Sequence, residues 1–166
     1  FRDEFQPMEG LPPDSYKPPD NESRPIQTAA AIFTVEQEPL PIAISGTVFE
    51  DIDLDNTQDP GDPGLPDVSL TLHRLAGGSY GDALRTVTTN DQGDYLFQNV
   101  LPGTYRIVES QPAGLLSVGA TAGTVGGTTR GVVTSVDVIS NVALLGGEDS
   151  IDNDFAEARP ASLNGW

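Results

Sequence analysis

From Pro41 onward the chain consists of short β-branched runs divided by Gly, Pro, Asn and Asp, and no stretch sustains a helical period. A chain punctuated in this way cannot lay down helices long enough to pack, so it is expected to fold as an all-β protein. Strands are predicted over 42–50, 67–75, 84–89, 94–100, 104–110, 115–118, 131–139, 141–145 and 151–156. Alternation gives several of them a buried face: Val68, Leu70 and Leu72 fall on one side, and Ser69, Thr71 and His73 on the other. Tyr95 pairs with Phe97 in the same sense, and Tyr105 with Ile107. Many short strands with frequent turn signals indicate an immunoglobulin-like, Greek-key β-sandwich.

At 166 residues the chain accommodates one such sandwich plus an extension. Residues 1–27 form a Pro-rich acidic arm, where Leu11-Pro12-Pro13 and Lys17-Pro18-Pro19 favour extended backbone. Residues 28–41 contain an extra strand and a linker, the strand carried by Ile32, Phe33, Thr34 and Val35. The sandwich is assigned to 42–158. Residues 159–166 are a linker or the start of a following repeat, because Pro160-Ala161-Ser162-Leu163-Asn164-Gly165 echoes Pro41-Ile42-Ala43-Ile44-Ser45-Gly46. The chain begins without Met, which is expected of a processed product or an excised fragment.

The net charge of -17 excludes nucleic acid and anionic membrane as partners, since both need a basic surface to displace counterions. No apolar run approaches the roughly 20 residues that span a bilayer. Cysteine is absent, which removes disulfides, thiolate catalysis and zinc-thiolate sites. The natural ligand of such a chain is a cation.

One loop is built to take one. Asp51, Asp53, Asp55, Thr57, Asp59 and Asp62 occupy the first, third, fifth, seventh, ninth and twelfth positions of an EF-hand-type calcium loop, with Thr57 offering its backbone carbonyl. A hard cation wants six to eight oxygens at roughly 2.3–2.6 Å, and alternate residues of a tightly turning loop converge on one point. Asn56 replaces the usual glycine at the sixth position, where its tolerance of left-handed backbone suits it. Asp62 replaces the usual glutamate at the twelfth and has a shorter reach. A charge run is ordinarily a solvated loop, but these carboxylates, with Glu50, have no Lys or Arg near them in sequence and repel one another unless a cation intervenes. Magnesium fits less well because it demands octahedral geometry and keeps its waters.

The same residues carry a family resemblance. Val48-Phe49-Glu50-Asp51, the Asp loop, and Gly64-Leu65-Pro66-Asp67-Val68 resemble the opening strand, calcium loop and second strand of the B-type repeats of bacterial serine-aspartate repeat surface proteins, which are related to collagen-adhesin B domains. Thr88-Thr89-Asn90-Asp91-Gln92-Gly93-Asp94-Tyr95-Leu96-Phe97 and Leu101-Pro102-Gly103-Thr104-Tyr105 are similar to that family's hairpin and following strand. Gln111-Pro112-Ala113-Gly114 and Asp152-Asn153-Asp154-Phe155 resemble its turn and closing strand. The resemblance implies an immunoglobulin-like sandwich, calcium-dependent rigidity and tandem placement in a stalk. Some collagen-adhesin relatives carry a Lys-to-Asn isopeptide bond, but the only lysine here is Lys17, in the arm. Calcium is then the remaining staple.

Secondary acidic groups are Asp91 with Asp94, read chiefly as turn chemistry, and Glu148, Asp149, Asp152 and Asp154, a further cation candidate. His73, the only histidine, is read as a surface residue of a strand, and no nucleophile elbow, phosphate loop or dinucleotide fingerprint occurs. Asn21-Glu22-Ser23 is a chance sequon. The expectation is a non-catalytic, calcium-stabilised structural module of an extracellular or cell-surface protein, a stalk spacer or fibre building block. Its partners are neighbouring repeats or identical subunits, engaged by an arm that packs in cis or in trans. The alternative is an adhesion module that binds a protein or carbohydrate ligand through Tyr80, in the loop of Ala76-Gly77-Gly78-Ser79.

Overall fold

The computed structural model describes residues 37–161. The arm of residues 1–27, the Ile32-Phe33-Thr34-Val35 run of the strand expected within 28–41, and the end of the terminal echo lie outside the described residues. Among those described, every regular element is a strand: β1 (Ile42–Glu50), β2 (Ser69–Ala76), β3 (Ser79–Thr88), β4 (Asp94–Val100), β5 (Gly103–Glu109), β6 (Leu116–Thr121), β7 (Thr124–Val125), β8 (Thr128–Thr129), β9 (Val132–Ser135), β10 (Val138–Leu144), β11 (Asp149–Ser150) and β12 (Asp154–Ala158).

Two five-stranded sheets result. In one, β1 is central: β4 runs antiparallel along one edge, while β11 and then β12 run parallel along the other, with β6 outside β12. The second is fully antiparallel in the order β3-β2-β5-β10-β9. Their apolar faces meet in one core, in which Ile44, Val48, Phe97 and Phe155 of the first sheet lie against Leu70, Leu72, Tyr105, Ile107, Ile139 and Val142 of the second. The expected faces are borne out, since Val68, Leu70, Leu72, Tyr95, Phe97, Tyr105 and Ile107 are all buried. The Tyr105 hydroxyl donates to the Leu101 carbonyl and pins the corner between β4 and β5.

Three departures from the sequence reading have local causes. The strand expected at 84–89 begins at Ser79, because Gly77 and Gly78 both take positive φ and close a two-residue hairpin of the kind that matches strand twist. Strands expected at 131–139 and 141–145 divide elsewhere: the chain turns at Val136–Asp137, and Asn141 (φ 58°) sits in a bulge inside a continuous β10. The hairpin β7–β8, turning on Gly126 and Gly127, was not anticipated, although Thr-Val-Gly-Gly-Thr-Thr is the same signal.

Close backbone crossings hold the sandwich to its glycines. A Cβ on Gly64 would lie 1.8 Å from the Gln92 carbonyl oxygen, and one on Gly46 would lie 1.9 Å from that of Asn153. At these points the β1–β2 loop rests on the hairpin before β4, and β1 rests on the turn before β12.

Candidate metal centre

The Asp-rich loop leaves the end of β1, where the Asp51 amide donates to the Glu157 carbonyl of β12 at 2.8 Å. Asp51 is 2% exposed. Its Oδ1 accepts the Leu54 amide at 2.7 Å and its Oδ2 the Asn56 amide at 2.8 Å, so this carboxylate organises the turn that follows it. Leu54 and Asn56 both take left-handed backbone, at φ 65° and 63°. The Asn56 conformation is the one expected of it. Asn56 also reaches across to β6, donating Nδ2 to the Thr121 hydroxyl at 3.3 Å.

This folding brings Asp51, Asp53 and Asp55 together, each offering one oxygen within 4.8 Å of the others. Asp55 Oδ1 accepts the Thr57 amide at 2.8 Å. Asp62 closes the loop, its Oδ1 accepting the Ile52 amide and its Oδ2 the Asp59 amide, each at 3.0 Å. The Asp59 carbonyl accepts the Asp62 amide at 2.9 Å. The six expected positions therefore separate into three converging carboxylates, a closing turn of Asp59 and Asp62, and Thr57, which enters through its amide.

Asp53 registers the crowding. Its carboxyl is raised above the ordinary range, first by loss of water around it and then by the charge of Asp55, with Asp62 and Asp51 adding smaller effects. A converging, all-oxygen donor set with Asp51 buried and Asp53 and Asp55 exposed suits a hard cation and offers nothing to a soft one. The residues fit calcium.

Glu50 is the exception to the expected absence of neutralising charge. Arg159, far away in sequence, donates to both of its carboxylate oxygens. The secondary groups do not converge. Asn90 organises its turn by accepting the Gln92 and Asp94 amides, each at 2.9 Å. Glu148 accepts the Leu145 amide, Asp149 the Ala43 amide and Asp154 the Thr47 amide, so these acids cap separate pieces of backbone.

Tyr80 is not a loop residue free to take a ligand. It stands on β3 with its ring 4.7 Å from the Arg106 guanidinium, and its hydroxyl exchanges hydrogen bonds with Asn141. His73 sits within the sheet, Nδ1 facing the Gly81 carbonyl at 2.9 Å and Nε2 the Thr71 hydroxyl at 3.1 Å. The carbonyl can only accept, so Nδ1 carries the proton. A second converging set, Glu109, Asp137 and Glu157, was missed because its members come from three distant segments and share no spacing.

The chain is similar in sequence to known proteins. The profile of the SdrD B-like domain matches residues 42–157. Over 72 residues the chain is 33% identical to the bone sialoprotein-binding protein of Staphylococcus aureus, a match covering 43% of this chain and 6% of that protein. Identity is also 33% over 72 residues with serine-aspartate repeat-containing protein D of Staphylococcus aureus strain Newman, covering 43% of this chain and 5% of that protein. The chain thus spans a small fraction of the length of the curated relatives it matches. Among solved structures, the full-length major pilin SpaD of Corynebacterium diphtheriae aligns with a TM-score of 0.45 and 12% identity, over 74% of this chain and 32% of that one. The profile runs from the first strand of the sandwich to its last, and the chain belongs to the SdrD B-like domain family, a family of non-catalytic domains of cell-surface proteins.

Proposed function

We propose that this domain is a calcium-stiffened structural module, a spacer or building block in a stalk or fibre at the cell surface. The observation that carries the reading is the convergence of Asp51, Asp53 and Asp55 in a loop that leaves β1 for the opposite sheet. Without a cation the three charges oppose closure of the loop. With one they become its ligands, and the passage between sheets is held as firmly as the strands it joins. Binding of calcium to the folded state alone stabilises it by RT ln(1 + [L]/Kd), about 2.7 kcal/mol at a hundredfold excess over Kd.

The test is thermal melting and limited proteolysis of the whole chain with calcium and with EDTA. Chelation is expected to lower the melting temperature and to open the β1–β2 loop to protease. An unchanged melting curve and digestion pattern would refute the proposal. Neighbouring repeats or identical subunits are the partners such a module implies, with residues 1–37 as the proposed contact. Deleting those residues is expected to abolish assembly while leaving the sandwich folded.

A further inference from the structure

Three carboxylates that come from both sheets meet inside this domain without a counter-charge. Glu109 ends β5, Asp137 lies in the turn between β9 and β10, and Glu157 stands on β12 of the opposite sheet. Each offers one oxygen within 4.8 Å of the others. Glu109 is 4% exposed and Glu157 is fully buried. The arrangement is fixed by backbone, since the Glu109 amide donates to the Asp137 carbonyl at 2.9 Å.

The second observation concerns what these side chains lack. Both oxygens of Glu109, Oε1 of Glu157 and Oδ1 of Asp137 are buried with no hydrogen-bond partner. Glu157 is held on its other side, where Oε2 accepts from the Gln111 amide and the Ser117 hydroxyl lies close by. Among the described residues the ion pairs are Arg130 with Glu148 and Arg159 with Glu50, and Arg106 lies over Tyr80. Native proteins satisfy nearly all buried polar atoms, and charged ones above all. A proton shared between two carboxyls satisfies one pair of oxygens and leaves the rest orphaned. A cation takes at least one oxygen from each of the three side chains at once.

We propose that Glu109, Asp137 and Glu157 form a second cation site, for calcium, that clips the two sheets of the sandwich together. Oxygen-only donors select a hard ion. Oxygens within 4.8 Å of one another can all reach one ion with bonds of roughly 2.3–2.6 Å, and calcium accepts an irregular shell of six to eight oxygens where magnesium demands a near-ideal octahedron. Asp137 is only half-buried, which gives the ion a way in and leaves room for water to complete its shell. This site shares no ligand with the Asp51–Asp62 loop, although the Asp51 amide donates to the Glu157 carbonyl.

The test is calorimetric titration of the whole chain with calcium, on wild type, Glu109→Gln, Glu157→Gln and Asp53→Asn/Asp55→Asn. Stoichiometry is expected to fall by one in either glutamine variant, and the Asp53→Asn/Asp55→Asn variant is expected to keep one ion. Crystals soaked in terbium chloride should show an anomalous peak among the three carboxylates, absent in Glu109→Gln. Unchanged stoichiometry in folded Glu109→Gln, or no peak at the cluster in wild type, would show that the trio shares protons instead. Should the glutamine variants fail to fold, Asp137→Asn decides: at least tenfold weaker binding of one ion supports the site, and unaltered binding overturns it.

Discussion

Arg159 grips Glu50 with two prongs, Nε to Oε1 at 2.6 Å and Nη2 to Oε2 at 2.9 Å. Glu50 ends β1 and Arg159 follows β12, so the pair ties the exit of the last strand to the point where the acidic loop begins. The Glu50 side chain is largely buried while that of Arg159 stays in water, so removing the arginine leaves the buried partner unpaired. Arg159→Ala is expected to lower the melting temperature by several degrees, and Glu50→Gln introduced alongside to restore part of that loss. Additive effects in the double-mutant cycle would show that the two side chains do not act as a pair.

Within the Asp loop, folding and metal binding assign different work to neighbouring acids. Asp51→Ala removes the acceptor for two loop amides and is expected to destabilise the protein by about 3 kcal/mol even in EDTA. Asp53→Asn relieves crowding in the metal-free state, so it is expected to raise the melting temperature in EDTA and lower it in saturating calcium. Melting curves of both variants in the two buffers decide. A fall in EDTA for Asp53→Asn would mean that its charge already has a compensating partner.

Asp154 makes stability depend on pH. Burial, offset in part by the Thr47 amide and reinforced by Asp152 and Asp94, moves its carboxyl from 3.8 to about 6. The folded state holds the proton more tightly than the unfolded one, so the contribution is full below about pH 4 and is lost as pH rises through about 6. The loss amounts to about 3 kcal/mol. Asp154→Asn keeps an acceptor for the Thr47 amide and is expected to flatten the profile by that amount, read by denaturant unfolding in EDTA between pH 4 and 7. An unchanged slope would place the dependence on other acids.

Asn153 links three segments through one fully buried amide. Its Oδ1 accepts the Gly123 amide, and its Nδ2 donates to the Ser45 carbonyl and the Ser150 hydroxyl, all at 3.0 Å. Its carbonyl accepts the Tyr95 hydroxyl at 2.6 Å. Asn153→Ala takes the side-chain partner from the Gly123 amide and the Ser150 hydroxyl, while the Ser45 carbonyl keeps the Asn153 main-chain amide, and is expected to cost about 3 kcal/mol. A loss under about 1 kcal/mol in denaturant unfolding would show that water replaces the amide there.

The sequence by itself determined the all-β class, the buried faces of the main strands and the loop. Alternation places Val68, Leu70 and Leu72 on one side whatever lies opposite, because side-chain direction follows from pleat alone. The left-handed Asn56 and the meeting of Asp51, Asp53 and Asp55 were legible for the same reason: within one tight loop, spacing and distance are almost the same thing. Tyr80 was misread because two glycines that promise flexibility also make the tightest hairpin turn, and which of the two they do depends on the strands they join. Tertiary structure alone decided the rest. Arg159 meets Glu50 and Asn153 meets Ser45 because parallel pairing of β1 with β12 folds the end of the chain back onto β1, and Glu109 meets Glu157 because the two sheets stack. Contacts between distant segments leave no period in a sequence, since each residue is chosen by a partner whose position only the folded sheet supplies.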